Sequence, residues 1–217
     1  MANLLNMSGG KLLKLPPPPR FVDLGLPSGK KWAIGNLVKD AQGNYSIGNE
    51  TDYGCYFSWG NIVGHNANAN NTFEDGYSFD AEHYELTPGA SLTTNIYPDD
   101  IQHDAAAALL GGLWHMPTLS DFQELYDNTV HSLITVDGVN GVTFYKSSDP
   151  SKRVFFPMSG TGTTTLTNKT KFAMVWSSTI YTDNTKAGYM YVRYATGSVN
   201  FFNSIKHYGY VIRPVYN

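Results

Sequence analysis

The chain holds a single cysteine, Cys55, in 217 residues. That excludes an internal disulfide framework, a cysteine-rich zinc site and any chemistry that needs paired thiols. Charge is sparse as well: Asp, Glu, Lys and Arg make up 15% of the residues, the formal net charge is -3 and the pI is about 6.0. With no Lys/Arg cluster to neutralise phosphates, a nucleic-acid partner is not expected. No apolar run is long enough to span a bilayer, so membrane insertion is not expected either. Residues 1–20 lack a cationic region followed by a continuous apolar core and a cleavage site, and no signal peptide is read there.

Catalytic patterns are missing too. His65, His83, His103, His115, His131 and His207 are dispersed, without the HExxH spacing or a nucleophile motif beside them. His115 reads as a hydrogen-bonded structural histidine. Cys55 lies in Tyr53-Gly54-Cys55-Tyr56-Phe57 with no local base, and reads as an inert buried thiol. Glu74, Asp75, Asp80, Glu82 and Glu85 are close in sequence, but their spacing matches no calcium loop and they read as a solvated loop face. The expectation is a protein without enzymatic activity, metal or cofactor.

What the chain does have is apolar and aromatic residues, 41% and 14% respectively, ample for one sizeable core. Residues 1–20 divide from the rest: Leu4, Leu5, Met7, Leu12, Leu13 and Leu15 form an apolar arm, and Pro16 to Pro19 a semi-rigid spacer. An arm ahead of a stiff spacer suits attachment to a larger particle or a sister subunit, although a frayed terminus has the same composition. Residues 21–217 read as one domain. Short strands are expected over 21–24, 31–34, 55–59, 141–145, 154–158 and 174–176. A helix is expected from about Asp99 to Leu110, started by Asp99 or Asp100 and stopped by Gly111-Gly112. A second, over LSDFQELYDN, is capped by Thr118, with Leu119, Phe122, Leu125 and Tyr126 making its apolar face. Residues 61–82, rich in Asn, Ala, Gly and acids, read as a long surface loop rather than a packed element.

The final segment, 176–217, carries the functional signal. Alternation puts Tyr189, Tyr191 and Arg193 on one side of a strand and Met190 and Val192 on the core side. A turn at Ala195-Thr196-Gly197-Ser198 leads to a second strand with Asn200 and Phe202 opposite Val199 and Phe201. Tyr and Phe supply contact area at low entropy cost while Asn and Ser adapt their hydrogen bonds, which is the chemistry of a paratope. An ordinary antiparallel sheet, aromatic on both faces through strand propensity alone, accounts for the same pattern.

Spaced motifs add a resemblance: Val22-Asp23-Leu24-Gly25-Leu26-Pro27-Ser28-Gly29, Trp32-Ala33, Tyr53 to Gly60, Trp114-His115-Met116-Pro117-Thr118, Phe155-Phe156-Pro157, Trp176-Ser177-Ser178-Thr179 and Val211-Ile212-Arg213-Pro214-Val215. In this order they resemble the major paralogous domain abundant in gut bacteria and their phages. The resemblance implies an α+β, C-type-lectin-like fold with two helices, short antiparallel strands and a C-terminal variable hairpin and loop surface. It also implies a variable protein of a diversity-generating retroelement, in which template adenines are randomised. The positions it assigns to a variable, ligand-binding surface are Tyr181, Tyr189, Tyr191, Arg193, Tyr194, Asn200, Phe202, Asn203, Ser204, Ile205, His207, Tyr208 and Tyr210. All are residue types that a randomised Asn codon can encode, while Met190 and Lys206 between them are expected to stay fixed. The sugar-binding triplets of calcium-dependent lectins are absent, so calcium-dependent sugar recognition is not expected. The expected role is ligand or receptor binding, in a phage tail or a surface-displayed adhesin, with a protein or glycan on a target cell as partner and a homo-oligomer possible. The alternatives are a fixed lectin-like adhesin or structural subunit and, further off, an oxidase like the formylglycine-generating enzymes.

Overall fold

The computed structural model describes residues 6–8, 11–13, 20–84 and 92–217. Residues 1–20 are covered only by the backbone of two short strands and by Arg20, so the attachment role expected of that arm lies outside the described residues. Glu85 lies outside them too.

In chain order the first strands are β1 (Asn6–Ser8), β2 (Lys11–Leu13), β3 (Phe21–Val22), β4 (Lys31–Ala33), β5 (Leu37–Lys39) and β6 (Tyr45–Ile47). After a long irregular stretch come α1 (Ala105–Leu110), β7 (Trp114–His115) and α2 (Leu119–Asn128). The second half is almost all strand: β8 (Val130–Val136), β9 (Val139–Lys146), β10 (Asp149–Pro157), β11 (Thr161–Gly162), β12 (Leu166–Thr167), β13 (Phe172–Ile180), β14 (Lys186–Arg193), β15 (Ser198–Ile205) and β16 (Val215–Tyr216).

Strand accounts for 40% of the chain and helix for 9%. The expected α+β, C-type-lectin-like architecture is therefore corrected to a β-rich fold of several antiparallel sheets. The reason is visible in element length. Helix α1 stops after 6 residues and α2 after 10, whereas the Val-, Thr- and Phe-rich segments of β8, β9, β10 and β13 extend over 7 to 9 residues each. The sheets β10-β9-β8 and β13-β14-β15 are up-and-down meanders. The turn between β8 and β9 is Asp137-Gly138 with φ of 48° and 80°, the two-residue geometry that matches strand twist. In the sheet β3-β4-β16-β7 the last strand of the chain lies between strands from its beginning and middle.

Two apolar clusters fill the interior. One gathers Trp32, Phe122, Leu125, Phe144, Phe156, Val175, Met190 and Val192 under α2. The other gathers Phe57, Trp59, Met116, Trp176, Tyr189, Tyr210 and Ile212. Two tryptophans lock the second cluster: Trp59 Nε1 donates to the Ser177 carbonyl at 2.7 Å, and Trp176 Nε1 donates to the Phe57 carbonyl at 2.8 Å. Each indole fixes the backbone next to the other, which satisfies two buried donors without water.

The second helix forms where expected. Thr118 Oγ1 accepts from the Asp121 amide while the Asp121 carboxylate accepts from the Thr118 amide, closing a capping box. The first begins later than expected, at Ala105 rather than near Asp99. Asp100 instead closes a turn onto His103 Nδ1 at 2.8 Å, and the cap is Asp104. Its carboxylate accepts from the Ala107 amide at 2.9 Å and from the Met116 amide at 2.9 Å, tying α1 to the strand that follows it. Burial pushes the Asp104 carboxyl up to about 6 against those same hydrogen bonds.

Residues 61–82 correct another expectation. They hold almost no regular structure, yet Phe73 and Phe79 are buried and pack edge to face at 4.8 Å, and Tyr77 stacks on His65 at 3.5 Å. The polar composition conceals two aromatic anchors that pin the segment to the core. Gly162 and Gly209 make room for Phe79: an added Cβ on either would lie 2.7 Å from its ring. Among the described acids, Glu74 pairs with Lys39, and Asp80 binds His83 Nδ1 at 2.7 Å.

Candidate binding face

Register decides which side chains of the β13-β14-β15 sheet stand together. Directly paired residues share a face. The pairs Phe172 with Arg193, Met174 with Tyr191, Trp176 with Tyr189, Tyr189 with Phe202, and Tyr191 with Asn200 therefore build one face. Ala173, Val175, Met190, Val192, Val199 and Phe201 build the other. The second face is closed by α2, whose Leu119 would lie 2.6 Å from a Cβ on Gly188 and whose Tyr126 meets Phe201 at 6.2 Å.

The first face grades from core to solvent. At its base Trp176 is fully buried, with the Tyr210 ring 4.4 Å away and Tyr189 4.9 Å beyond that. Tyr191 follows, half-buried, 5.3 Å from Phe172 and 5.9 Å from Phe202. Phe202 is 48% exposed. The polar side chains beside this aromatic tread are Arg193, exposed, and Asn200, half-buried. Phe172 belongs to the face although it precedes residue 176; its pairing with Arg193 is the signal, and only the register reveals it.

The thirteen residues assigned to a variable surface fall into distinct settings. Tyr191, Arg193, Asn200 and Phe202 share the open face. Ser204 lies further along it and bonds Tyr210 through its hydroxyl at 2.8 Å. Tyr189 and Tyr210 are 9% and 3% exposed, so their rings support the face from below rather than stand on it. Asn203 and Ile205 point to the helix side of β15, with Ile205 38% exposed. Tyr194 packs on the core and meets Thr135 Oγ1 through its hydroxyl at 3.2 Å. Tyr181 is 43% exposed in the turn after β13. His207 and Tyr208 occupy the turn after β15, rings 5.0 Å apart, and desolvation lowers the His207 pKa against the pull of Asp80.

No family model, curated protein or solved structure matches the chain. What it can do is read from these side chains alone. The two residues expected to stay fixed are both buried: Met190 in the first cluster, and Lys206 with its Nζ donating to the Leu92 carbonyl at 2.7 Å over the Trp59 ring. Cys55 is fully buried, its thiol pushed up to about 12 by desolvation, which leaves no thiolate at neutral pH. His115 is held by the Met116 carbonyl and Asn217 Oδ1. Among the described residues no cluster of three or more His, Cys, Asp or Glu is placed to hold a metal. None of the described helices is long and apolar enough to cross a membrane.

The gradation sets the exposed side chains of the face apart from the buried ones in energetic terms. Arg193→Ala combined with Phe202→Ala is expected to shift stability by under about 1 kcal/mol, as exposed substitutions do. Tyr189→Ala with Tyr210→Ala is expected to cost about 3 kcal/mol or more through the cavity it opens beside Trp176. Urea denaturation of the two double variants measures the contrast; equal losses would mean that the face has no exposed layer.

Proposed function

We propose that this chain is a ligand- or receptor-recognition protein whose contact surface is the face carrying Tyr191, Arg193, Asn200 and Phe202, extended by Tyr208 and His207. The observation that carries the reading is the layering of that face. Exposed Arg193 and Phe202 and half-buried Tyr191 and Asn200 stand on an antiparallel sheet, over a buried layer of Trp176, Tyr189 and Tyr210 that supports them. Large rigid rings beside an arginine and an asparagine suit a protein or glycan partner on a cell surface. On this reading the chain is a variable protein of a diversity-generating retroelement, serving a phage tail or a surface-displayed adhesin. Exposed positions then tolerate exchange because only solvent contacts change, while Met190 and Lys206 do not.

A second reading, a fixed adhesin with one partner, draws on the burial of Tyr189 and Tyr210: two assigned positions are part of the core and resist replacement by small residues. Sequencing codons 176 to 217 across the natural source population separates the two, with the preceding 175 codons as control. Replacements concentrated at 181, 191, 193, 200, 202, 207 and 208 are the expected result. Sparse, uniform change along the gene would leave the fixed adhesin.

A further inference from the structure

A second concave site lies apart from the sheet face, and none of the thirteen residues discussed above lines it. It is a cleft of about 400 Å³ between β5, the segment 51–56, residues 66–67 and the turn that follows β12. That volume lies in the range of small-ligand sites. Its walls carry Lys169, Lys39, Asp52, Thr51, Tyr53 and Asn66.

One of its two lysines is held against an aromatic ring. Lys169 Nζ stands 4.4 Å from the centroid of the Tyr53 ring, and among the described residues no carboxylate lies within 4.0 Å of it. By contrast Lys39, which also lines the cleft, is neutralised by Glu74. The turn that presents Lys169 is strained on both sides, with Asn168 at φ 58° and the β-branched Thr170 at φ 70°. It is kept in that conformation by the Thr170 amide donating to the Met158 carbonyl at 2.8 Å and by the Lys171 and Phe172 amides donating to the Asn168 carbonyl. Backbone strain of this kind persists where the surroundings impose it, and concentrates at ligand sites. Gly54, at φ 95° in the cleft lining, approaches Asn36 and Leu37 so closely that a Cβ would lie 2.8 and 2.9 Å from them.

We propose that this cleft binds a carboxylate-bearing saccharide, such as a uronic acid unit of an acidic glycan. Lys169 takes the carboxylate as a compact point charge. Asp52, whose Oδ2 already accepts from the Asn49 amide, offers carboxylate lone pairs to ring hydroxyls, and Thr51, Tyr53 and Asn66 supply further polar atoms around the ring. One cation with several neutral hydrogen-bonding groups and a single carboxylate in the lining suits a polyhydroxylated monoanion, whereas a phosphate carries up to two charges near neutral pH and would meet more repulsion from Asp52. The site is independent of the recognition face, and its outcome does not bear on that reading.

The test is titration of the full chain with glucuronate, glucose, acetate and inorganic phosphate, followed by NMR shifts. Glucuronate is expected to bind with a Kd on the order of 1 mM, more than tenfold tighter than the other three, and more weakly as salt is raised. Lys169→Met, which keeps the aliphatic stem over Tyr53, should weaken glucuronate more than tenfold with an unchanged melting temperature. Lys169→Arg should stay within about threefold of the parent and guards against a folding defect in the first variant. Binding of acetate or phosphate as tight as that of glucuronate, or full retention in Lys169→Met, would overturn the proposal.

Discussion

Replacing Arg213 with methionine is expected to destabilise the protein by about 3 to 5 kcal/mol, one of the largest effects of any single substitution in this chain. The guanidinium is completely buried. Its Nε donates to Asn36 Oδ1 at 2.8 Å, one terminal nitrogen to the Ala33 carbonyl at 3.0 Å and the other to the Phe155 carbonyl at 2.7 Å. It also lies 4.6 Å from the Phe156 ring centroid. One side chain thus joins the end of β4, the loop after it and β10 to the C-terminal segment. Methionine fills comparable space but leaves three buried acceptors without a donor, and the loss comes from those orphans rather than from an ion pair. Desolvation lowers the Arg213 pKa to about 9, which still leaves the group charged at neutral pH. Lysine should not rescue, because a point charge on a flexible stem cannot reproduce three donors in a planar fork. Thermal unfolding by circular dichroism would register the methionine variant as a drop of about 6 to 20 °C. A change under about 2 °C would show that the three acceptors find other partners.

Trp176→Ala is expected to cost a similar amount, about 3 to 5 kcal/mol, for a different reason. The indole is fully buried and is the floor on which Tyr189 and Tyr210 rest. Removing it opens a large cavity and leaves the Phe57 carbonyl without the Trp176 Nε1 donor. Trp176→Phe separates the two contributions: it retains most of the volume, so its smaller loss, about 1 to 2 kcal/mol, reports the hydrogen bond. The same variants should also disturb the open face of the sheet, because the aromatic tread above Trp176 loses its support. Far-UV denaturation curves with unchanged urea dependence would identify the effect as a loss of stability. Parent-like stability in Trp176→Ala would mean that the cluster collapses without penalty.

Local patterns in the sequence carried over well where a single element decides its own form. Thr118 as the cap and the apolar spacing of Phe122 and Leu125 mark α2 in the sequence, and the structure adds Asp121 as the reciprocal partner of the cap. The alternation in 189–193 and 199–202 matches the division of the sheet into two faces in the pairing register, although Tyr189, on the side expected to be open, is buried. Other elements depended on distant partners. Asp104 rather than Asp99 starts α1 because it also binds the Met116 amide, a contact across twelve residues. Phe73 and Phe79 are hidden among asparagines, and nothing local distinguishes them from exposed aromatics until Gly162 and Gly209 open a slot for them.

The sequence by itself determined that the chain has one cysteine and little charge, that it has apolar side chains enough for a core, and that its last forty residues concentrate rings and amides on alternating positions. These are properties of composition and period, which need no neighbours to be read. Only the tertiary structure decided that the architecture is β-rich, that Tyr189 and Tyr210 lie beneath the face rather than on it, and that Lys169 meets Tyr53 at a cleft. Each of those depends on which strand lies beside which, and register between segments more than a hundred residues apart is set by packing, not by any local signal.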